Sequence, residues 1–300
     1  MSRRRDWTIG IIIGAAFLVF MFMTVAFFWG LSSTDGAEFG GFGKKVAIVE
    51  LKGTISASEE IVGQLRRFAD DSSIPAIVLR IDSPGGGVAA SQEIYDEIQR
   101  VKEKGKKVIV SMGSVAASGG LYVAVAADTI VANPGTLTGS IGVIFEFPTL
   151  EKLMEKVGVR YEVVKSGEYK DIGSIARSMT PNESAALQVV IDDTYDQFVE
   201  AVAKGRRLDK DSVKAFADGR IFTGRQAKEM KLVDELGDLH DALDIAAEMV
   251  GLESPPKTVK IIPRRRAGVM DFLGKTFIDW LTEYAGETAS SAPALQYRYR

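Results

Sequence analysis

The stretch Ser111-Met112-Gly113-Ser114-Val115-Ala116-Ala117-Ser118-Gly119-Gly120-Leu121-Tyr122 sets the reading of this chain. An apolar strand runs into a helix built from small residues, and Ser118 stands at the junction, after two alanines and before two glycines. A serine at such a turn has no bulky neighbour and is open to an extended backbone. A second segment, Asp82-Ser83-Pro84-Gly85-Gly86-Gly87, also follows an apolar strand and offers bare backbone N–H groups. The pair suggests a serine nucleophile with an oxyanion hole.

Working outward, the chain alternates. Strands are expected at Val46–Leu51, Ala76–Ile81, Val108–Met112, Thr129–Ala132, Ile141–Ile144 and Tyr161–Val164. Helices are expected at Ser58–Ala69, Val88–Lys102, from Ser118 to about Ala126, and at Thr149–Val157. Short apolar strands between amphipathic helices predict an α/β fold of repeated βαβ units, a mainly parallel sheet flanked by helices. Beyond Pro181, Leu187, Val190, Ile191, Tyr195, Phe198 and Val202 recur at helical spacing, so a long helix is expected over 182–204. Lys257–Ile262 reads as a last edge strand.

At the N-terminus Arg3-Arg4-Arg5 precedes an uncharged run from Trp7 to Leu31. That run can cross ~30 Å of hydrocarbon as a helix. It exceeds the ~7–15 apolar residues of a signal peptide. The positive-inside tendency then places residues 1–6 in the cytoplasm and the rest outside, on a single-pass anchor in the cell membrane. Residues 32–43, rich in Gly and Ser, read as a linker, 44–262 as a peptidase domain, and 263–300 as a tail. The tail carries Arg264–Arg266 and an apolar stretch from Phe272 to Tyr284.

Composition narrows the chemistry. In 300 residues there is no cysteine, which removes disulfides, thiolate zinc sites and cysteine nucleophiles. Net charge of −3, without a basic patch interleaved with aromatics, argues against nucleic acid. No Walker sequence is present, and neither metal nor nucleotide cofactor is expected. The one histidine, His240, lies in the charged helical stretch Asp238-Leu239-His240-Asp241, which reads as surface. A serine nucleophile here needs another base, and a neutral lysine is the established substitute. The segment 164–174 offers two, Lys165 and Lys170, and spacing does not choose between them. Asp171 beside Lys170 would favour the charged amine unless it points elsewhere.

Five segments occur in order: Ser83–Gly87, Ala117–Gly120, Thr138-Gly139-Ser140-Ile141-Gly142-Val143, Lys165–Lys170 and Gly219-Arg220-Ile221-Phe222-Thr223-Gly224. With Leu232–Gly237 they closely resemble the signal peptide peptidase A family, the Ser-Lys proteases (peptidase family S49) of the Clp/crotonase superfamily. The resemblance spans roughly residues 44–250. It implies Ser118 as nucleophile, Lys170 as general base, and Ser140 as the residue that holds the lysine amine. It also implies an oxyanion hole from Gly119 with Gly85 or Gly86. A single copy of the motifs matches the short form of the family, for which the resemblance implies a ring-like homo-oligomer with sites near subunit contacts. Cleaved signal peptides and other hydrophobic peptides are then the expected substrates. Two other readings share these residues: a non-proteolytic membrane scaffold, and a crotonase-like acyl-CoA enzyme.

Overall fold

The structure is a computed structural model that describes residues 17–22, 24 and 43–261. Most of the expected anchor, the linker up to residue 42 and the tail lie outside the described residues. Residues 17–22 and 24 are helical, with Phe17, Leu18, Phe20 and Phe22 exposed. Among the described residues no helix is long and apolar enough to cross a membrane.

The body between residues 43 and 261 is built on one eight-stranded sheet. Its first half is three βα units in succession. β1 (Val46–Lys52) leads to α1 (Glu59–Asp70), β2 (Ala76–Ser83) to α2 (Val88–Glu103), and β3 (Lys107–Ala117) to α3 (Gly119–Ala124). β4 (Thr129–Ala132) and β5 (Leu137–Gly139) follow. Farther along come β6 (Ile221–Thr223), β7 (Glu235–Leu236) and β8 (Thr258–Lys260). The main path runs β6-β5-β3-β2-β1-β8, while β4 pairs with both β3 and β7. Every pairing is parallel except β5 with β6.

Both faces of the central strands are buried, as a parallel sheet between helices requires. Ala47, Val49, Ile77, Leu79, Ile81, Val110 and Met112 belong to the larger core with Leu65, Ile94, Ile98 and Leu121 from the helices. The alternate residues Val46, Val78, Ile109 and Val131 pack on Ala242, Leu243 and Ala246 of α8 (Leu239–Met249). That period of two is the strand geometry itself.

Three expectations change. β3 does not stop at Met112 but continues to Ala117. Ile141–Ile144 is not a strand; the pairing at this edge is made earlier, by Leu137–Gly139, and from Gly142 the chain leaves the sheet. Tyr161–Val164 is not a strand either: Tyr161, Val163 and Val164 are exposed, and no strand among the described residues pairs with them. Apolar and β-branched residues make a strand only where an edge is available to pair with. The excursion between residues 142 and 180 holds instead α4 (Glu151–Val157) and a 3₁₀ turn, Glu168–Asp171. It leads into the long helix α5 (Pro181–Arg206), after which come the short helices α6 (Lys210–Lys214) and α7 (Gly224–Glu229). Thr180 and Glu183 form a reciprocal capping box at its start, with Pro181 in the first turn.

Candidate active site

The site begins with an irregularity in β3. Ile81 pairs with Met112 and Ser83 with Ala116, so two steps along β2 are matched by four along β3. Gly113 to Val115, three residues against the single Asp82 of β2, form a bulge, and β3 changes partner across it. Ile109–Met112 pair with β4, whereas Val115–Ala117 pair with β5. Polar side chains close the gap in the ladder. Asp82 Oδ1 accepts from the Val115 N–H at 3.1 Å, and Thr136 Oγ1 donates to the Gly113 carbonyl at 2.7 Å. Thr138 Oγ1 donates to the Ala116 carbonyl at 2.7 Å, and Arg80 Nη1 donates to Ser111 Oγ and the Met112 carbonyl. Gly113 is required here: a Cβ would lie 2.8 Å from Asp82 Cγ.

The bulged strand delivers Ser118 to a strained elbow. Its backbone has φ 52° and ψ −122°, a region costly for a residue with a Cβ, and it caps α3. Its N–H donates to the Gly139 carbonyl at 2.9 Å, and its carbonyl accepts from the Tyr122 N–H. The hydroxyl makes no hydrogen bond to another described residue. Strand, strained serine and helix in succession are the arrangement that presents a nucleophile at the top of a parallel sheet.

The glycine loop meets this elbow. Gly85 has φ +102°, and a Cβ on it would sit 2.7 Å from the Gly119 nitrogen and 2.9 Å from Ser118 Cβ. Ile55 bridges to Gly86 as an isolated parallel pair, using the Gly85 carbonyl and the Gly87 N–H. The Gly85 N–H is taken by Ser83 Oγ at 3.1 Å. The Gly86 N–H and the first-turn Gly119 N–H have no acceptor among the described residues. A Cβ on Gly119 would stand 3.3 Å from the Gly86 nitrogen, so the two amides border the same small space. Of the glycines named from the sequence, Gly119 and Gly86 thus offer open donors and Gly85 does not.

A cavity of about 120 Å³ opens beside the elbow. Gly86, Ser118 and Gly119 form one wall, and Val88, Tyr122, Val143, Ile144 and Phe198 supply its apolar surface. Ser91, Gln92 and Thr194 add hydroxyl and amide groups. Tyr122 stacks in tilted contact between Tyr95 and Phe198, at 5.3 and 5.2 Å. Burial pushes the Tyr122 phenol upward, so it stays neutral. Sequence reasoning missed Thr194 and Phe198: Phe198 reads only as part of the helical period of a packing helix, and only the tertiary arrangement brings both to the cavity beside Ser118.

Ser140 is held close to the elbow. It follows Gly139, the residue that accepts from Ser118, and its own N–H donates to the Arg220 carbonyl at 2.8 Å. Its φ of 53° makes it, with Ser118, one of four described non-glycine residues in the left-handed region. The lysines stand elsewhere. Among the described residues no lysine lines the cavity. Lys170 is exposed on the 3₁₀ turn, whereas Lys165 Nζ is held by Asp171 Oδ1 at 2.6 Å and the Glu168 carbonyl at 2.7 Å. Asp171 is therefore engaged away from Lys170, bonded by Arg177 as well. His240 is exposed at the start of α8, its N–H donating to the Asp238 cap.

A parallel sheet, a strained serine elbow and an adjoining glycine loop define an α/β protein with a Clp protease-like fold, and the Clp protease family profile matches residues 44–135. The profile described as Peptidase family S49 matches residues 100–253. A Synechocystis sp. protein, provisionally named a protease, is 50% identical over 211 residues, 70% of this chain and 76% of its own. Protease 4 of Haemophilus influenzae is 35% identical over 83% of this chain, and the match spans 39% of that protein. Serine protease SPPA, chloroplastic, of Arabidopsis thaliana is 34% identical over 75% of this chain and 34% of its own. The chain belongs to peptidase family S49.

Proposed function

We propose that this protein is a serine endopeptidase in which Ser118 and Lys170 act as a dyad on hydrophobic peptides at a membrane surface. One observation carries the reading: Ser118 is strained at the mouth of an apolar cavity, beside two amides without acceptors among the described residues. The Ser118 hydroxyl gives its proton to a neutral Lys170 amine while its oxygen attacks the peptide carbonyl. The Gly119 and Gly86 N–H groups receive the developing oxyanion. Collapse of the tetrahedral intermediate passes the proton from Lys170 to the leaving amine. Water, deprotonated by the same lysine, then cleaves the acyl-enzyme and restores the Ser118 hydroxyl.

Lys170 is favoured over Lys165 because Lys165 is already an ion-paired ammonium, bonded to Asp171, and a base must be neutral. That no lysine among the described residues lines the cavity wall favours a second copy of the chain as the supplier of Lys170. The exposed apolar side chains of the excursion, including Ile144, Leu153, Val159 and Val164, suit burial between copies, as expected for a ring-like homo-oligomer. Ser140, next to the elbow, would hold the incoming amine. The anchor at 7–31 would place the domain outside the cell membrane, where released signal peptides are available as substrates.

The test is peptidase activity of the full chain on fluorogenic hydrophobic peptides, with Ser118→Ala, Lys170→Ala and Lys165→Ala, alongside fluorophosphonate labelling. Activity and labelling lost in the first two but kept in Lys165→Ala are the expected result. Peptidase activity surviving Ser118→Ala would overturn the mechanism. An inert wild type that takes no label would favour a scaffold.

A further inference from the structure

We propose that Arg177 is a positioning residue for the Lys170 amine: by gripping both oxygens of Asp171, it keeps that carboxylate from stabilising the ammonium form of its neighbour. The proposal rests on Lys170 being the base. A base adjacent in sequence to an acid is a poor arrangement, since a nearby carboxylate favours the charged amine. The structure deals with Asp171 by occupying it. Arg177 Nε donates to Asp171 Oδ2 at 3.0 Å and Arg177 Nη2 to Oδ1 at 2.8 Å, while Lys165 Nζ donates to Oδ1 at 2.6 Å.

The same guanidinium turns its other edge to Glu183, through Nη1 at 2.8 Å and through Nη2. Glu183 is buried, and its carboxylate also accepts from the Thr180 N–H at 2.9 Å, closing the cap of α5. Arg177 therefore ties the 3₁₀ turn that carries Lys170 to the first turn of α5. Two cations, Lys165 and Arg177, balance two carboxylates, Asp171 and Glu183. Of the remaining charged groups gathered here, Glu151 Oε2 accepts from Ser178 N–H and Oγ, and Glu168 lies exposed on the turn. Lys170 Nζ has no ion-pair partner among the described residues. The planar fork of Arg177 meets each carboxylate with two donors in fixed geometry; a lysine at 177 would keep the charge and lose that geometry.

The experiment is the pH profile of kcat/KM on a fluorogenic peptide, using the full chain and the variants Arg177→Gln, Arg177→Lys, Asp171→Asn and the double Arg177→Gln/Asp171→Asn. In Arg177→Gln the acidic limb is expected to move alkaline by about one pH unit, a roughly tenfold loss on that limb with recovery at high pH. Arg177→Lys should fall between this variant and wild type. The double variant should bring the limb back, because the offending charge is gone. Asp171→Asn, which leaves the Arg177–Glu183 pair intact, should move the limb acidic, since Lys165 and Arg177 then face Lys170 unbalanced. Equal losses at every pH, or a double variant no better than Arg177→Gln, would overturn the proposal while leaving the dyad standing. Full activity in Lys170→Ala would overturn both.

Discussion

The amide of Ser118 donates to the carbonyl of Gly139, and the next residue along is Ser140. One hydrogen bond of 2.9 Å therefore fixes two left-handed serines relative to each other, each at the end of a strand. β5 is only three residues long, yet it carries this link on one side and pairs with β6 on the other. Its brevity is offset by the Thr138 hydroxyl, which bonds across to Ala116.

The glycine contact at the elbow leaves no space for a side chain. In Gly85→Ala the new methyl meets the Gly119 nitrogen at 2.7 Å, and the residue must also hold φ +102°. Displacement of the Gly119 amide should lower kcat by about 10²-fold or more, the range for loss of an oxyanion donor, with a smaller change in KM. Steady-state kinetics on a soluble peptide provide the check. A Gly85→Ala enzyme with wild-type kcat would remove Gly119 from the oxyanion hole.

A site divided between copies predicts rescue by mixing. Ser118→Ala and Lys170→Ala chains, each inactive, should recover about a quarter of wild-type activity when co-assembled at equal amounts, from random neighbours around a closed ring. The assay is peptide cleavage after joint refolding or coexpression. If no activity returns, Ser118 and Lys170 act within one chain.

Asp82 accepts from the amide in the β3 bulge, so its removal strands a donor beside the elbow. Asp82→Ala should cost about 1–3 kcal/mol in denaturant unfolding. It should also reduce fluorophosphonate labelling of Ser118 in the fraction that remains folded. Asp82→Asn, which keeps an oxygen at that position, should lose less of both.

Acid should loosen the start of α5. Arg177, followed by the Thr180 amide, lowers the Glu183 carboxyl from its ordinary value of 4.5 to about 2. A depressed acid stabilises the folded chain fully above its unfolded value, and this contribution is lost as pH falls from about 4.5 toward 2. Asp171, held low by Arg177 and then Lys165, adds in the same direction. Melting temperature measured from pH 6 to pH 2 should therefore fall less steeply in Arg177→Gln than in wild type. Parallel curves would show that these pairs do not govern acid stability.

The βα alternation and the Ser118 elbow are legible because they rest on local signals: apolar runs of strand length, small residues around the serine, and glycines after β2. The bulge is not, since Gly113, Ser114 and Val115 read as the end of the strand at Met112; what keeps them in β3 is Asp82 and Thr136, far off in sequence. The two expected strands at 141–144 and 161–164 have strand composition without an edge to join. The tie between Lys165 and Lys170 is likewise a tertiary matter. Asp171 and the Glu168 carbonyl engage Lys165, and nothing in the local sequence says which lysine they take.

The bulge has a consequence for how this chain tolerates changes of length. Successive residues of a strand face opposite sides, so adding or deleting one residue between Gly113 and Val115 would turn Ser118 from the glycine loop to the other side of the sheet. The excursion from Gly142 to Met179 pairs with no strand, and residues added there shift no register. Added length is thus expected to be borne more readily by the segment that carries Lys170 than by the strand that leads into the serine elbow.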